Sequence, residues 1–558
     1  MIKINHLTQL IGGLVLLFSF NASAQFQMRY GTPDTEYFRP FGMDIVSDQG
    51  YIVSGHHKLN LIRSTLMKMK KEGSLEWSLV YDFPSGAYSQ GFRDAQEISW
   101  MPGNYHTIGS IHGGTGFSNA DLFFMAVRKN GSPLIAYRLG TSLLDVGVGV
   151  RSFSHPLLGN AFAIAGYGVN GLSSDPNQEI DVELVMINRA GNILQGGQFH
   201  YEGKQYLKTF EKTENGEFIL AGETNVEVCD SLKKSIFVIK FNQNMFPVWH
   251  QVIDLNPLIG SNDVAESIEV IGKRIYLSGH STYSKGGVTH QQPFLMEIRP
   301  NGLVSWVKSY DMVGFTNGRS YSLTSAVDAA GDIKHAIACE VISSSDPYLQ
   351  ASIIETDGAG KVNWAKRYPS SYQLSSTYAN KIVRNEIGGY TFTGPWFDAL
   401  GPFTSYKTQL VKTKAFGETG ENCVEPIEVI EQAVAYCQRR LPLIDIFPIQ
   451  SQREEVKVYD NPVVITKCVE DAMATSKNPN SSGNLVNLSP VPARDFVKVK
   501  SETPVQAIRI LDFAGNPLAD LPQIKSADVP VSSLQSGVYI LEMTLEDGTV
   551  ERQKFIKE

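Results

Sequence analysis

One motif, repeated seven times between residues 25 and 422, leaves this chain few ways to fold. Each copy opens with an alternating apolar run, a tight Gly/Asn/Asp turn and a second run that ends on a small residue or glycine. A variable loop, a third run, another Asn-Gly-type turn and a fourth run complete it. The second-run endings are Gly55, Gly109, Gly166, Gly222, Gly279, Ala338 and Gly394, spaced 54 to 59 residues apart. Fourth runs carry Trp77, Trp249, Trp306 and Trp364, with Tyr137 and Phe199 in the same place of two other copies.

Four short strands per unit at a fixed period predict an all-β fold, a seven-bladed β-propeller over residues 25–422. A single four-stranded sheet cannot bury both faces, and stacking the sheets around an axis buries them together. The seventh copy lacks a fourth run. The segment Phe26–Gly31 reads as an orphan fourth strand, so the N-terminus is expected to pair into the last blade and close the ring. The first-to-second and third-to-fourth turns then share one face, the hairpin face. The longer second-to-third loops and the crossings between blades share the other.

The ends address the protein. Lys3, an apolar run over residues 10–20 and a small-x-small step ending at Ala24 describe a secretory signal peptide, residues 1–24, cleaved between Ala24 and Gln25. No other run approaches membrane-spanning length, so no transmembrane segment is expected in the mature protein. A net charge of −8 argues against nucleic acid as a partner. Five cysteines in a chain this long are too few for a disulfide scaffold. Cys229 and Cys339 read as buried or free. Cys423, Cys437 and Cys468 cluster in a connector and linker over residues 423–483, where Cys423 with Cys468 is the expected pair. No C-x-x-C or histidine partner suggests zinc, and no metal or cofactor is expected.

Residues 484–558 read as a small C-terminal β-sandwich. They contain Pro490, Pro492 and Ala493, then Phe496-Val497-Lys498-Val499, Asp512 with Gly515, Leu534 followed by Gly537-Val538-Tyr539, and a last strand with Lys554 and Lys557. This set resembles the type A sorting domain of the type IX secretion system. That family opens on Tyr-Pro-Asn-Pro-Ala, runs through Phe-x-Val, Asp-x-x-Gly and Leu-x-x-Gly-Val-Tyr, and ends on a basic strand. Ser489 and Val491 stand where the family has Tyr and Asn. The resemblance implies export through the periplasm to the cell surface or medium, with the outer-membrane type IX machinery as a partner. The repeat region resembles the uncharacterised propeller modules of such cargo.

The repeat region carries no P-loop, EF-hand, nucleophile elbow or Ser-His-Asp arrangement. Three readings of its task stand: a binding or adhesion module for a glycan or a surface protein, an enzyme acting on surface polysaccharide or peptide, and a structural component of the surface or secretion apparatus. A ligand is expected on the long-loop face, with His56, Tyr167, His280 and Trp396 as candidate contacts. Deleting residues 484–558 is expected to strand the protein in the periplasm. Cell fractionation checks this, and undiminished protein at the surface or in the medium would refute the sorting assignment.

Overall fold

The computed structural model describes residues 26–31, 37–58, 62–83, 88–112, 120–141, 143–169, 179–228, 233–257, 260–285, 287–343, 348–369, 375–398, 406–419, 424–460, 464–467, 486–489, 493–501, 505–511, 517–522, 528–535, 537–545 and 550–557. The chain divides into two units, Met1–Asp471 and Ala472–Glu558. Among the described residues of the first unit, the strands up to Lys412 form seven antiparallel arrays of four. Arrays I to VI span residues 37–82, 88–140, 145–200, 205–255, 262–312 and 315–368. Array VII spans 375–412 and takes its fourth strand from Phe26–Gly31, which pairs antiparallel with Tyr406–Lys412. Arrays V and VI are also joined by a parallel bridge between Gln291 and Asn317.

The fourth-strand aromatics explain how one array holds the next. Tyr81 donates its hydroxyl to Gly131 O at 2.7 Å, Tyr310 to Gly360 O at 2.9 Å and Tyr368 to Gly417 O at 2.9 Å. Gly131 and Gly360 lie in the third-to-fourth turn of the following array, and Gly417 lies in the turn that follows the third strand of array VII. Tyr137 reaches Ala190 O at 2.7 Å in the same way, and Trp249 Nε1 reaches Pro300 O at 3.0 Å. Tyr30 donates to Gly73 O, which carries the pattern from array VII to array I. Trp306 and Trp364 lie on the turn glycines themselves. A Cβ at Gly360 would come 2.8 Å from the Trp306 ring, and one at Gly417 would come 2.6 Å from Trp364. Both glycines also have positive φ, so the turn and the seam exclude a side chain for separate reasons. The succession of arrays closes on itself, with Tyr51 OH 3.0 Å from Thr391 Oγ1 and Asn380 Nδ2 donating to Pro40 O at 2.7 Å. Each buried hydrogen bond contributes about 1 kcal/mol, and losing one partner costs more because the other is left buried.

In six arrays a glycine of the second strand answers a bulge in the first. In array I the register passes from Pro40↔Gly55 to Gly42↔Ser54, leaving Phe41 as an extra residue. The same shift leaves out Arg93, Val148, Lys208, Glu266 and Tyr321 in arrays II to VI. In array VII three residues, 378–380, face two between the pairs Thr377↔Trp396 and Lys381↔Thr393. The bulge presses a first-strand carbonyl onto the opposing Cα: a Cβ at Gly222 would lie 2.0 Å from Tyr206 O, and one at Gly394 1.7 Å from Tyr378 O. The register corrects one alignment. In array VI the residue opposite Ser320, just before the bulge, is Cys339, one place after Ala338.

The segment expected to be an irregular connector is a belt. Residues 425–467 add one antiparallel strand to the outer edge of every array, in the order VI, V, IV, III, II, I, VII. The seven strands begin with Glu425–Pro426 and Val429–Ala433 and end with Lys457–Asp460 and Val464–Lys467. Between strands the belt drops an apolar side chain into five of the seams: Ile427, Val434, Leu441, Ile449 and Val456 pack into the successive inter-array cores. Their spacing of seven or eight residues is the distance from one outer edge to the next. The N–H groups of Ile427, Val434 and Leu441 donate to Ala365 O, Val307 O and His250 O at 2.9, 3.1 and 3.1 Å. Burying a leucine as fully as Leu441, 3% exposed, contributes roughly 1.5–3 kcal/mol. Strands of two to five residues also leave little free edge for another chain to pair with.

In the second unit, one sheet of Val486–Ser489, Phe496–Ser501 and Asp528–Pro530 and another of Pro517–Pro522, Val505–Leu511, Gly537–Leu545 and Val550–Lys557 share one apolar core. Val497, Val529, Leu541, Met543 and Phe555 are fully buried there. Leu534 packs against this core, Tyr539 stacks on Phe555 at 5.7 Å and donates to Gln535 O at 2.8 Å, and Lys557 bridges Ala493. Pro490, Pro492, Asp512, Gly515 and the leader with its Ala24–Gln25 step lie outside the described residues.

The belt changes the cysteine reading. Cys437, expected to stand apart from the bridge, is disulfide-bonded, while Cys339 is a buried free thiol. Cys423, Cys468 and Cys229 lie outside the described residues. Cys437 packs on a core that contains Val226 and Val228, and the neighbouring Arg439 donates to Glu227 O at 3.3 Å. Val228 directly precedes Cys229 in the sequence, so Cys229 is the partner expected for Cys437. Non-reducing peptide mapping is expected to recover the Cys229–Cys437 peptide pair, and a Cys437 peptide linked to Cys423 or Cys468 would contradict this.

Candidate functional site

The seven first strands surround one axial cavity of about 340 Å³. All seven bulge residues line it: Phe41, Arg93, Val148, Lys208, Glu266, Tyr321 and Asn380. A bulge twists the strand and re-aims the extra side chain. Repeating it in every array brings seven chemically different groups to one place from strands that are otherwise alike. The volume falls within the range of small-molecule sites.

Charge in the cavity is arranged in pairs. Arg151 bridges arrays II and IV, 2.5 Å from Asp94 and 2.9 Å from Glu211. Arg319 holds Glu266 at 3.1 Å, and Lys208 lies 3.4 Å from Glu223. Tyr321 donates to Glu340 at 2.7 Å and stacks on Tyr378 at 5.2 Å. Burial pushes the Asp94 carboxyl up, but Arg151 and Lys381 outweigh it and hold it below the usual range. Toward the hairpin face, Asp44 and Glu269 lie beyond the cavity lining. Burial and then Asp94 push Asp44 up to about 7, and burial and then Glu211 push Glu269 up to about 8.

The sequence-derived candidates divide. Tyr167 lines the cavity and meets Tyr206 edge-on at 5.8 Å. His56 lies behind it, with its ring 5.1 Å from Phe41. His280 is also behind, with Nδ1 3.8 Å from Glu266 Oε1. Burial and then Arg319 lower the His280 pKa to about 3, so the ring is neutral and this contact is not an ion pair. Trp396 is buried away from the lining, with Arg29 over its ring at 4.6 Å and Lys407 at 5.4 Å. All four were expected on loops, and all four lie in second strands. The second strands continue well past the glycine taken as their end. Sequence reasoning missed the bulge residues. The signal for them was the second-run glycine, whose missing side chain marks the facing bulge.

A larger cavity of about 1130 Å³ opens among the hairpin-face turns of arrays V and VI, where little was expected. Its lining includes Trp306, Trp364, Glu355 and Phe416. Both tryptophans already serve the seams described above, and Glu355 accepts from Tyr390 at 2.6 Å.

The raised carboxyls set a pH dependence. Between about pH 4 and pH 8 the folded state keeps protons on Asp44 and Glu269 that the unfolded chain has released, so stability falls as pH rises through this window. D44N and E269Q carry neutral side chains at every pH. Their melting temperatures relative to wild type are expected to be higher at pH 8.5 than at pH 5. An equal difference at both values would contradict the assignment.

Residues 487–558 match the model of the secretion system C-terminal sorting domain. No curated protein matches the chain in sequence. Among solved structures, the α-L-arabinofuranosidase Arb93A of Fusarium graminearum is similar at 12% identity and a TM-score of 0.37, over 70% of this chain and 98% of that one. A Synechocystis apocarotenoid oxygenase variant is similar at 9% identity and a TM-score of 0.32, over 60% and 87%. The extracellular domain of a B. thetaiotaomicron protein assigned to the hybrid two component systems is similar at 9% identity and a TM-score of 0.26, over 93% and 67%. Likenesses this distant carry no functional argument. The C-terminal domain does: the chain is a type IX secretion cargo, exported through the periplasm to the outer cell surface or the medium.

Proposed function

We propose that the exported protein is a binding or adhesion module: a closed, belted seven-bladed β-propeller that takes a glycan in its axial cavity, followed by a β-sandwich that directs secretion. The observation that carries the reading is the convergence of seven unlike bulge residues on one cavity, held by a repeated backbone device. Aromatic faces from Phe41, Tyr167 and Tyr321 beside paired charges and the Asn380 amide suit a polar ligand with flat apolar faces, which is the character of a sugar ring. A protein ligand, by contrast, calls for a broad surface rather than a cavity this small.

An enzyme is the second reading, favoured by the two carboxyls that line the cavity. Asp94 is held below its usual pKa, and Glu266 is raised by burial against Arg319. Opposed carboxyls of this kind can act as base and acid. Binding ranks first because Arg151 and Arg319 occupy both.

Glycan-array screening followed by affinity and melting measurements tests the proposal. Tyr167→Ala is expected to weaken binding more than about 20-fold, as truncating an aromatic anchor does, with little change in melting. Alanine at His56, His280 or Trp396 is expected mainly to lower the melting temperature, and alanine at Lys71, Asn130 or Asn301 on the hairpin face to leave binding unchanged. Loss of binding confined to the hairpin-face variants would place the site on that face and overturn the axial assignment. Turnover of a bound glycan that disappears in E266Q would establish the enzyme instead.

A further inference from the structure

The axial cavity is cationic in an acidic protein. Arg39, Arg93, Arg151, Lys208, Arg319 and Lys381 line it against only Asp94 and Glu266, while the chain as a whole carries −8. Most of that charge is answered close by. Arg151 has Asp94 and Glu211, Lys208 has Glu223, and Arg319 has Glu266. Lys381 acts electrostatically on Asp44, Asp94 and Glu269. Arg93 is different: among the described residues its guanidinium has no ion pair and no hydrogen bond. It lies over the Phe41 ring at 4.7 Å, with Arg39 over the same ring at 5.2 Å.

We propose that this end of the cavity binds a carboxylate-bearing saccharide, with the carboxylate between Arg93 and Arg39 beside Phe41 and the sugar ring against Tyr167 and Tyr321. The inference rests on the glycan-binding reading above and specifies its ligand. A guanidinium offers paired donors that match the two oxygens of a carboxylate. Both guanidiniums lie over one ring, so an anion beside Phe41 can be reached by the two together. Enclosure and the Arg39 charge draw the Arg93 pKa down, with Tyr167 opposing, which agrees with a cation lacking its counter-charge.

Calorimetry on the full exported chain separates the outcomes. The probes are oligogalacturonate, oligoguluronate and sialyl-lactose, each with a neutral counterpart, and the proteins are wild type, R93Q, R93K and K71A. A carboxylated probe is expected to bind wild type and K71A alike, to bind R93Q about 10- to 100-fold more weakly, and to recover part of its affinity in R93K. R93Q is expected to melt with wild type, because Arg93 makes no structural ion pair. Equal affinity for the acidic and neutral probes, or unchanged acidic-probe affinity in R93Q, would overturn the carboxylate assignment and leave the glycan reading standing. Binding of none of the probes would overturn both.

Discussion

The arrays of this protein depend on the seams between them, and at six seams a fourth-strand aromatic side chain hydrogen-bonds the turn of the next array. The tyrosine hydroxyl takes a carbonyl that the turn leaves unused, and the tryptophan ring covers a glycine that has no side chain to displace it. Neither side of the contact is complete alone. The same bond from Tyr30 to Gly73 joins the segment nearest the N-terminus to array I, so the last seam is made like the others. Closure is what gives the first strands a common axis, and without that axis the seven bulges would point into separate stretches of solvent.

The belt completes the same economy at the outside. Stacking buries the faces of the sheets but leaves seven outer edges, each a template for pairing with another chain. A protein that crosses the periplasm and works outside the cell meets many other chains. Covering every edge with one segment ties all seven arrays together, and an apolar side chain at five of the seams makes the segment part of the core. A disulfide at Cys437 adds a covalent fastening to the oxidising side of that journey.

What could be read from the sequence followed from what repeats. The second-strand glycines, the turn glycines and the fourth-strand Trp and Tyr do the same jobs in most arrays, so they recur at a fixed period and reveal them. The pairing of Phe26–Gly31 was legible because array VII lacked a strand. The cavity lining was not, because the bulge holds the backbone constant while the side chain changes from Phe41 to Arg93 to Glu266. Function lies in the positions that do not repeat. His56, His280 and Trp396 were placed on loops because the glycine was read as a strand end, whereas it marks a bend within a continuing strand. The belt was missed for another reason. Its strands are too short to show alternation, and its one regularity, an apolar residue every seven or eight positions from Ile427 to Val456, has meaning only beside the edges it spans.

The central claim is that ring closure and the repeated bulge build a binding site on the axis. The most direct measurement is an experimental structure of the full chain with a bound oligosaccharide. The account predicts ligand density inside the first strands, in contact with Phe41, Arg93, Tyr167 and Tyr321. Density in the wider hairpin-face cavity beside Trp306, Trp364 and Phe416, with the axis unoccupied, would contradict it.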